Sequence, residues 1–497
     1  MKSPIHKLLT LSLLGGLLLG IGSCGEEFLD KRPQGEEITP AFFNTAEGAA
    51  QATNAVYWQL RQWPTHVFAF IGITSITSDD AEKGSTAGDA PPMGELDNFT
   101  FAPTNFFFND FWNGQYLGIL KANEVIERVP AIQMTDSLKS RYIAEAKFLR
   151  AYFYFNLVRT FGGVPRIVIV PTEQDLSVAT PRATAAEIYQ LIEQDLREAI
   201  PVLPARYDVA NVGRATSGAA KGLLAKVSMY QKKWPEVLSL TNEIMASGEY
   251  NLNTPYQVIF TEAGENSPES VFEVQAAVSQ QCAPDEARLG SQYSEVQSPR
   301  PQLGWGFNVP TESLASAYEP GDPRREATII FKGETLPDGF TLSQEAINPR
   351  YNQKAYVYQT ESRSPCGLGD AGKNIRILRY ADVVLMNAEA ANELGDGAKA
   401  AASLNLVRAR ARGNQAGVLP NVAFANQAQM RDAIWRERRV ELAMEHERFW
   451  DLVRQGRAAQ VLQAQGKGFV AGKNELMPIP QVQIDASGGV LTQNPGY

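Results

Sequence analysis

Histidine is the scarcest chemical resource in this chain, with three in 497 residues, and one of them, His6, lies in an apolar leader. His66 and His446 cannot by themselves build a histidine-based metal site, and no HExxH or CxxC spacing occurs. The GxSxG and phosphate-loop patterns are missing too. Cysteine is equally rare: beyond Cys24 there are only Cys282 and Cys366. These two are a candidate disulfide in an oxidising location, although sequence does not say whether their Cα atoms lie close enough. Positive charge is in deficit, 46 Lys and Arg against 55 Asp and Glu, and no basic cluster exists to hold nucleic acid. Beyond the leader no apolar run approaches a membrane span. These absences shift the expectation from catalysis to binding. No cofactor is expected, and the sequence leaves open whether a metal is bound.

What is present begins with an address. Lys2 and Lys7 precede an apolar run from Leu8 to Leu19, the length of a signal-peptide core and too short for a membrane helix. Ile21, Gly22 and Ser23 then lead into Cys24, an arrangement that resembles the lipobox of bacterial lipoproteins. Gly25, Glu26 and Glu27 resemble the surface-export tag of some outer-membrane lipoproteins. The expectation is a signal peptide at 1–23, a lipidated Cys24, a tether at 24–40, and an acyl anchor supplying all membrane attachment. Loss of Lys2 and Lys7 with the leader would take the net charge from −9 to −11. Hydrophobic content of 44% and charged content of 20% are those of a globular chain.

The body reads as amphipathic helices in pairs. In 379–394, Ala381, Val384, Leu385, Ala388 and Ala391 share one face; Gly395 and Gly397 stop the helix, and another follows through Ala400, Leu404, Val407 and Ala411. A second pair occupies 216–247, with Trp234-Pro235 opening its partner helix and Gly248 closing it. A third runs over 142–161 and 185–200, joined by the extended GGVPRIVIVP. Small facing residues and a period of thirty-odd residues resemble tetratricopeptide repeats, which bury their apolar faces by stacking. The fold class is therefore mainly α: stacked helix pairs at 41–248 and 373–497, the latter ending in a packed tail. Two segments break the pattern, a polar and aromatic loop at 74–111 and a large loop-rich insertion at 249–372 with short β-like runs such as SVFEVQAAV and ATIIF. Long loops on a rigid scaffold are the expected working part.

Six stretches in order resemble the SusD/RagB family of outer-membrane nutrient-binding lipoproteins: CGEEFLDKRP, EAKFLRAYFYFNLVRTFGGVP, YEPGDPRREATI, RYADVVLMNAEA, ERRVELAMEHERFWDLVRQGR, and the tail LMPIPQVQID with TQNPGY. The resemblance implies a tetratricopeptide-like lid on a SusC-like, TonB-dependent outer-membrane transporter. Such a lid captures an oligosaccharide, or in some members a peptide, at the cell surface and delivers it for import.

Trp305 is the first candidate for ligand contact. It stands between Gly304 and Gly306 in LGWGFNVP, where the backbone can hold an indole out of regular packing, and the family resemblance places aromatic contacts in this region. Phe307 would extend that platform and Tyr293 would add a hydroxyl. Asp79 and Asp80, in SITSDDAEKG, could accept from sugar hydroxyls, though an N-cap or a solvated turn explains them as simply. Asn105 is a similar case. Trp58, Trp63, Trp112, Trp234, Trp435 and Trp450 read as helix-packing residues, and Phe106, Phe107 and Phe108 as core, since three exposed phenylalanines would be adhesive. Glu441 and Glu445 have the spacing of paired glycosidase carboxylates, but Arg438, Arg439 and Arg448 alternate with them, so an ion-paired scaffold helix is the better reading. A secreted α-helical glycosidase and a protein-binding repeat scaffold remain the rivals to the nutrient-binding lid.

Overall fold

The structure, a computed structural model, describes residues 43–172, 179–282 and 288–497. Cys24, the leader and the tether lie outside the described residues.

Helix pairing follows from where apolar and small residues fall. Thr45 caps helix α1 (Ala46–Leu60) by accepting the Gly48 N–H, and Asn105 caps α2 (Phe106–Arg128) in the same way through Phe107. α3 (Asp136–Phe161) packs on both α2 and α4 (Ala185–Ala199). Gly118 of α2 sets the close approach: a Cβ there would lie 2.3 Å from the Phe153 ring of α3. Next come α5 (Ser217–Tyr230) and α6 (Trp234–Ala246), then α7 (Tyr380–Glu393), α8 (Gly397–Arg412) and α9 (Gln427–Glu441). α7 is buried on every side because α6, α8 and α9 all pack on it. Its Asn387 ties the layers together, donating to Thr241 of α6 (2.9 Å) and accepting from Ser403 of α8 (2.8 Å). The expected helix pairs are thus present, with α3 starting six residues before the expected 142, and the fold is the mainly α, tetratricopeptide-like one.

Three antiparallel strand pairs tie down the irregular segments. β1 (Ala81–Gly84) pairs with β3 (Phe307–Pro310), Glu82 opposite Val309. β2 (Ser270–Val274) pairs with β6 (Ile375–Arg379), and β4 (Ile329–Phe331) with β5 (Arg350–Asn352). The first pair joins the polar loop after α1 to the insertion, and the second ties the start of the insertion to the strand that leads into α7. Cys282 and Cys366 form a disulfide across 84 residues, with Cα atoms 5.2 Å apart.

The C-terminal residues are docked. Asn494 donates to the Phe161 and Met477 carbonyls (3.0 and 2.7 Å) and accepts from Arg182 (2.7 Å). The Tyr497 hydroxyl donates to the Leu476 carbonyl at 3.0 Å, and its ring stacks on Phe101. Among the described residues no helix is long and apolar enough to cross a membrane, and no group of His, Cys, Asp and Glu is placed to hold a metal ion.

The segment from 437 departs from the expected continuous helix. α9 ends at Glu441, Met444 and His446 take positive φ, and the chain restarts as α10 (Arg448–Arg454). Glu441 and Glu445 are indeed ion-paired, but with partners from elsewhere. Glu441 is held by Arg379 (2.9 Å), Arg324 (3.1 Å) and Arg410; Glu445 by Arg379 (2.7 Å) and Lys354 (2.7 Å). With Asp322, Glu437, Glu269 and Arg408, five cations and five anions form one buried network. The arginines near those glutamates in sequence serve other acids: Arg438 holds Asp382 and Asp451, and Arg448 holds Asp79.

Candidate functional site

Two indoles meet at the mouth of a cleft. Trp63 opens a short helix (Trp63–His66) just past α1, with Pro64 in its first turn. Trp305 comes from the insertion, its backbone N–H donating to the Glu295 carbonyl at 2.9 Å. The flanking glycines are required there: a Cβ on Gly304 would lie 2.2 Å from that same carbonyl, and Gly306 has a φ of +76°. The ring centroids of Trp63 and Trp305 lie 5.8 Å apart at 59°. Phe68 supports both, 5.1 Å from Trp63 and 6.3 Å from Trp305. Both indoles are half-buried, and among the described residues neither indole N–H has a hydrogen-bond partner. The cleft they border has a volume of about 520 Å³, and its polar wall comprises Arg61, Gln62, Arg288, Ser291 and Gln292. Flat faces with donors around their edge can stack on a ring and bond its substituents.

A slightly larger cleft, about 570 Å³, lies near the disulfide between Glu262, Glu265, Glu361, Arg363 and Lys373. It has no aromatic wall, and its charges are engaged within the protein. Lys373 donates to the Tyr356 carbonyl and faces Glu361, and Glu361 accepts the Glu262 and Tyr358 N–H groups. Burial pushes the Lys373 ammonium down to about 8 and the Glu265 carboxyl up to about 7. Self-satisfied groups leave little for a ligand, so the aromatic cleft is the better candidate.

Of the six residues singled out in sequence, only Trp305 lines that cleft. Phe307 is buried in β3, its ring set edge-on against Phe68 at 5.3 Å, so it supports the platform from behind. The Tyr293 hydroxyl bonds Nε2 of His446 at 2.7 Å inside the core, although its neighbours Ser291 and Gln292 reach the cleft. Asp79 and Asp80 are also corrections, each about 1% exposed. Asp79 takes two bonds from Arg448 (2.7 and 2.9 Å), and Asp80 one from Arg439 (2.7 Å). Burial raises both carboxyls; the two arginines more than reverse that for Asp79, whereas Asp80, beside the Asp79 charge, stays above its usual range. Asn105 is the cap of α2, with its amide donating to the Pro92 carbonyl and to Glu95, both at 2.9 Å. Phe107 and Phe108 are core as expected, but Phe106 is 45% exposed, stacked on Phe107.

Trp63 is the residue that sequence reasoning misplaced. The helical pattern of α1 ends at Leu60, and Gln62-Trp63-Pro64 follows its last turn, so a large aromatic already outside the amphipathic stripe was the available clue.

A helical-repeat scaffold thus presents an aromatic cleft with a polar wall through its loops. The family model described as "SusD family" matches residues 268–497, and one described as "Starch-binding associating with outer membrane" matches residues 27–229. A solved laminarin-binding SusD-like protein is 31% identical, with a TM-score of 0.79 over 91% of this chain and 100% of that one. Surface glycan-binding protein A from Bacteroides thetaiotaomicron, solved with laminarihexaose, is 28% identical with a TM-score of 0.77, covering 90% of this chain and 99% of that one. SusD-like protein P2 of Formosa agariphila is 27% identical over 97% of this chain and 98% of its own length. The chain belongs to the SusD family.

Proposed function

We propose that the protein captures an oligosaccharide between Trp63 and Trp305 at the cell surface and passes it to a SusC-like, TonB-dependent transporter for import. The observation that carries this reading is the indole pair itself: two half-buried indoles at the edge of the core, beside Phe68 and, for Trp305, on a glycine-built loop. Relatives that bind laminarin support a glycan as the ligand and make laminarin oligosaccharides the first to try. No chemistry is assigned, because Glu441 and Glu445 are sealed among arginines and lysine rather than facing a cleft. The outer-membrane description of the family model supports attachment there, with Cys24 as the acylated residue.

Binding by calorimetry tests the reading. Trp305→Ala and Trp63→Ala should each weaken saccharide binding by about five- to a hundredfold, taking a stacked ring as worth roughly 1–3 kcal/mol by analogy with base–aromatic stacking. Their melting temperatures should change little, since both indoles are partly solvated. A protein that binds peptides and no saccharide would replace the ligand class while keeping the transporter. Cys24→Ala should leave the membrane fraction, and co-purification of the parent with a β-barrel transporter tests the partner.

A further inference from the structure

The chemistry of the cleft wall is one-sided, and this bears on which glycan it takes. Among the described residues lining the cleft there is no carboxylate. The wall offers the guanidinium of Arg61, the two indole N–H groups, and side chains that both donate and accept, the amides of Gln62 and Gln292 and the Ser291 hydroxyl. Arg61 is the least committed of these. One of its N–H groups donates to the Arg288 carbonyl at 3.3 Å, and its Nε–H is buried without a partner among the described residues. A guanidinium carries five donors in a fixed fork suited to planar anions. Neutral sugar hydroxyls can be met by the Gln and Ser oxygens; what the described lining lacks is a negative charge to offset the Arg61 guanidinium.

Two acids lie close to the lining residues, Asp370 and the half-buried Glu295. Asp370 is fully buried beneath the floor, accepting the Gly290 N–H at 2.7 Å and the Ser364 hydroxyl at 2.9 Å. Its charge favours the ionised Arg61, while burial works the other way and dominates. Arg288 is engaged, donating to the Gly369 carbonyl at 3.2 Å with Glu295 close by, so no part of the argument needs its charge.

We propose that the cleft selects oligosaccharides carrying acidic substituents, carboxylate or sulfate, and that Arg61 is the residue that reads the anion. This rests on the cleft being the glycan site. An anion in the cleft would bond the terminal N–H donors of the Arg61 guanidinium and gain from the partial exclusion of water.

The test uses the full-length protein purified in detergent and titrated with matched pairs: laminarin oligosaccharides, the same oligosaccharides oxidised at C6 to uronates, and a sulfated counterpart. A panel of uronate-containing and neutral plant and algal oligosaccharides accompanies them. The acidic members should bind at least tenfold more tightly than their neutral partners, and the advantage should shrink as salt is raised from 20 to 300 mM. Arg61→Gln should remove that advantage, Arg61→Lys should keep part of it, and Trp305→Ala should weaken acidic and neutral ligands alike. Equal or tighter binding of the neutral members, unchanged in Arg61→Gln, overturns the anion selectivity and leaves the glycan site standing. Saccharide binding that survives both Trp63→Ala and Trp305→Ala, or no saccharide binding at all, overturns the site and the selectivity together.

Discussion

Replacing Glu441 by Gln is the sharpest perturbation of the buried ion network, because it keeps the shape and removes one charge. The carboxylate is fully buried, with Oε1 facing Arg379 at 2.9 Å and Arg410, and Oε2 facing Arg324 at 3.1 Å. Burial opposes the charge, yet those arginines hold its pKa far below the usual carboxylate range. In the variant an amide NH2 must point at guanidinium donors, and five cations face four anions. Breaking a buried pair from one side costs about 3–5 kcal/mol, since the abandoned charge has nowhere to go. For a chain of this length the unfolding entropy is roughly 1 kcal/mol per kelvin, so the expected drop in Tm is about 3–5 °C. The depressed pKa also sets a pH window. The contribution of Glu441 is complete above its unfolded value of roughly 4.5 and is lost as pH falls towards the folded one, so the variant and parent should converge in acid. Scanning calorimetry at pH 7 and at about pH 2 reads both effects, and saccharide affinity at 20 °C should be unchanged. A variant that melts within 1 °C of the parent at pH 7 would show that packing, not charge, holds this region. A variant that keeps its stability but loses hydrolysis of a glycan would refute the assignment of Glu441 to the scaffold.

Opening the disulfide with Cys282→Ser and Cys366→Ser frees a loop of 84 residues and should cost about 4–5 kcal/mol by loop entropy, read as a shift in Tm of the oxidised parent against the variant. Asn494→Ala strips partners from two buried carbonyls and from Arg182, and should cost roughly 1–3 kcal/mol in a denaturant titration; no loss would mean the docked end is not holding the scaffold. His66 is kept neutral by burial, its pKa lowered to about 4, and His446 likewise to about 3. The unfolded chain binds those protons from about pH 6.5, so stability falls as pH drops below that value, by roughly 3 kcal/mol at pH 4 for His66 alone. His66→Gln should flatten that part of the Tm profile, and an unaltered profile would assign the acid sensitivity to other groups.

The helical frame was legible because burial imposes a period on sequence: α5, α7 and α8 could be placed from residues such as Leu223, Val227, Leu385 and Leu404, and α6 from Trp234-Pro235 and Gly248 at its ends. The family motifs located the segments that carry it. The site was legible only in part. Trp305 was found because two glycines around a tryptophan have a backbone meaning that does not depend on distant residues. Asp79 and Asp80 were misplaced because a polar loop reads the same whether it meets water or two arginines more than 350 positions away. Trp63 was hidden for the converse reason, its neighbours looking like the edge of a helix whose stripe it had already left. Whether an aromatic faces the core or a cleft depends on what arrives from elsewhere in the chain, here the insertion.

The pairing of β1 with β3 and of Asp79 with Arg448 has a consequence for how the molecule comes into being. The polar loop after α1 finds its strand partner more than 220 residues later and its charge partner 369 residues later. Chain emerging N-terminus first therefore exposes Asp79 and Asp80 until nearly the whole polypeptide has been made, and the wall bearing Trp63 waits for the one bearing Trp305. Contacts of such long range are slow to close. The first helix pairs can form early, but the aromatic cleft must wait for the insertion, and a chain truncated before Arg288 would keep its first helix pairs without acquiring the cleft.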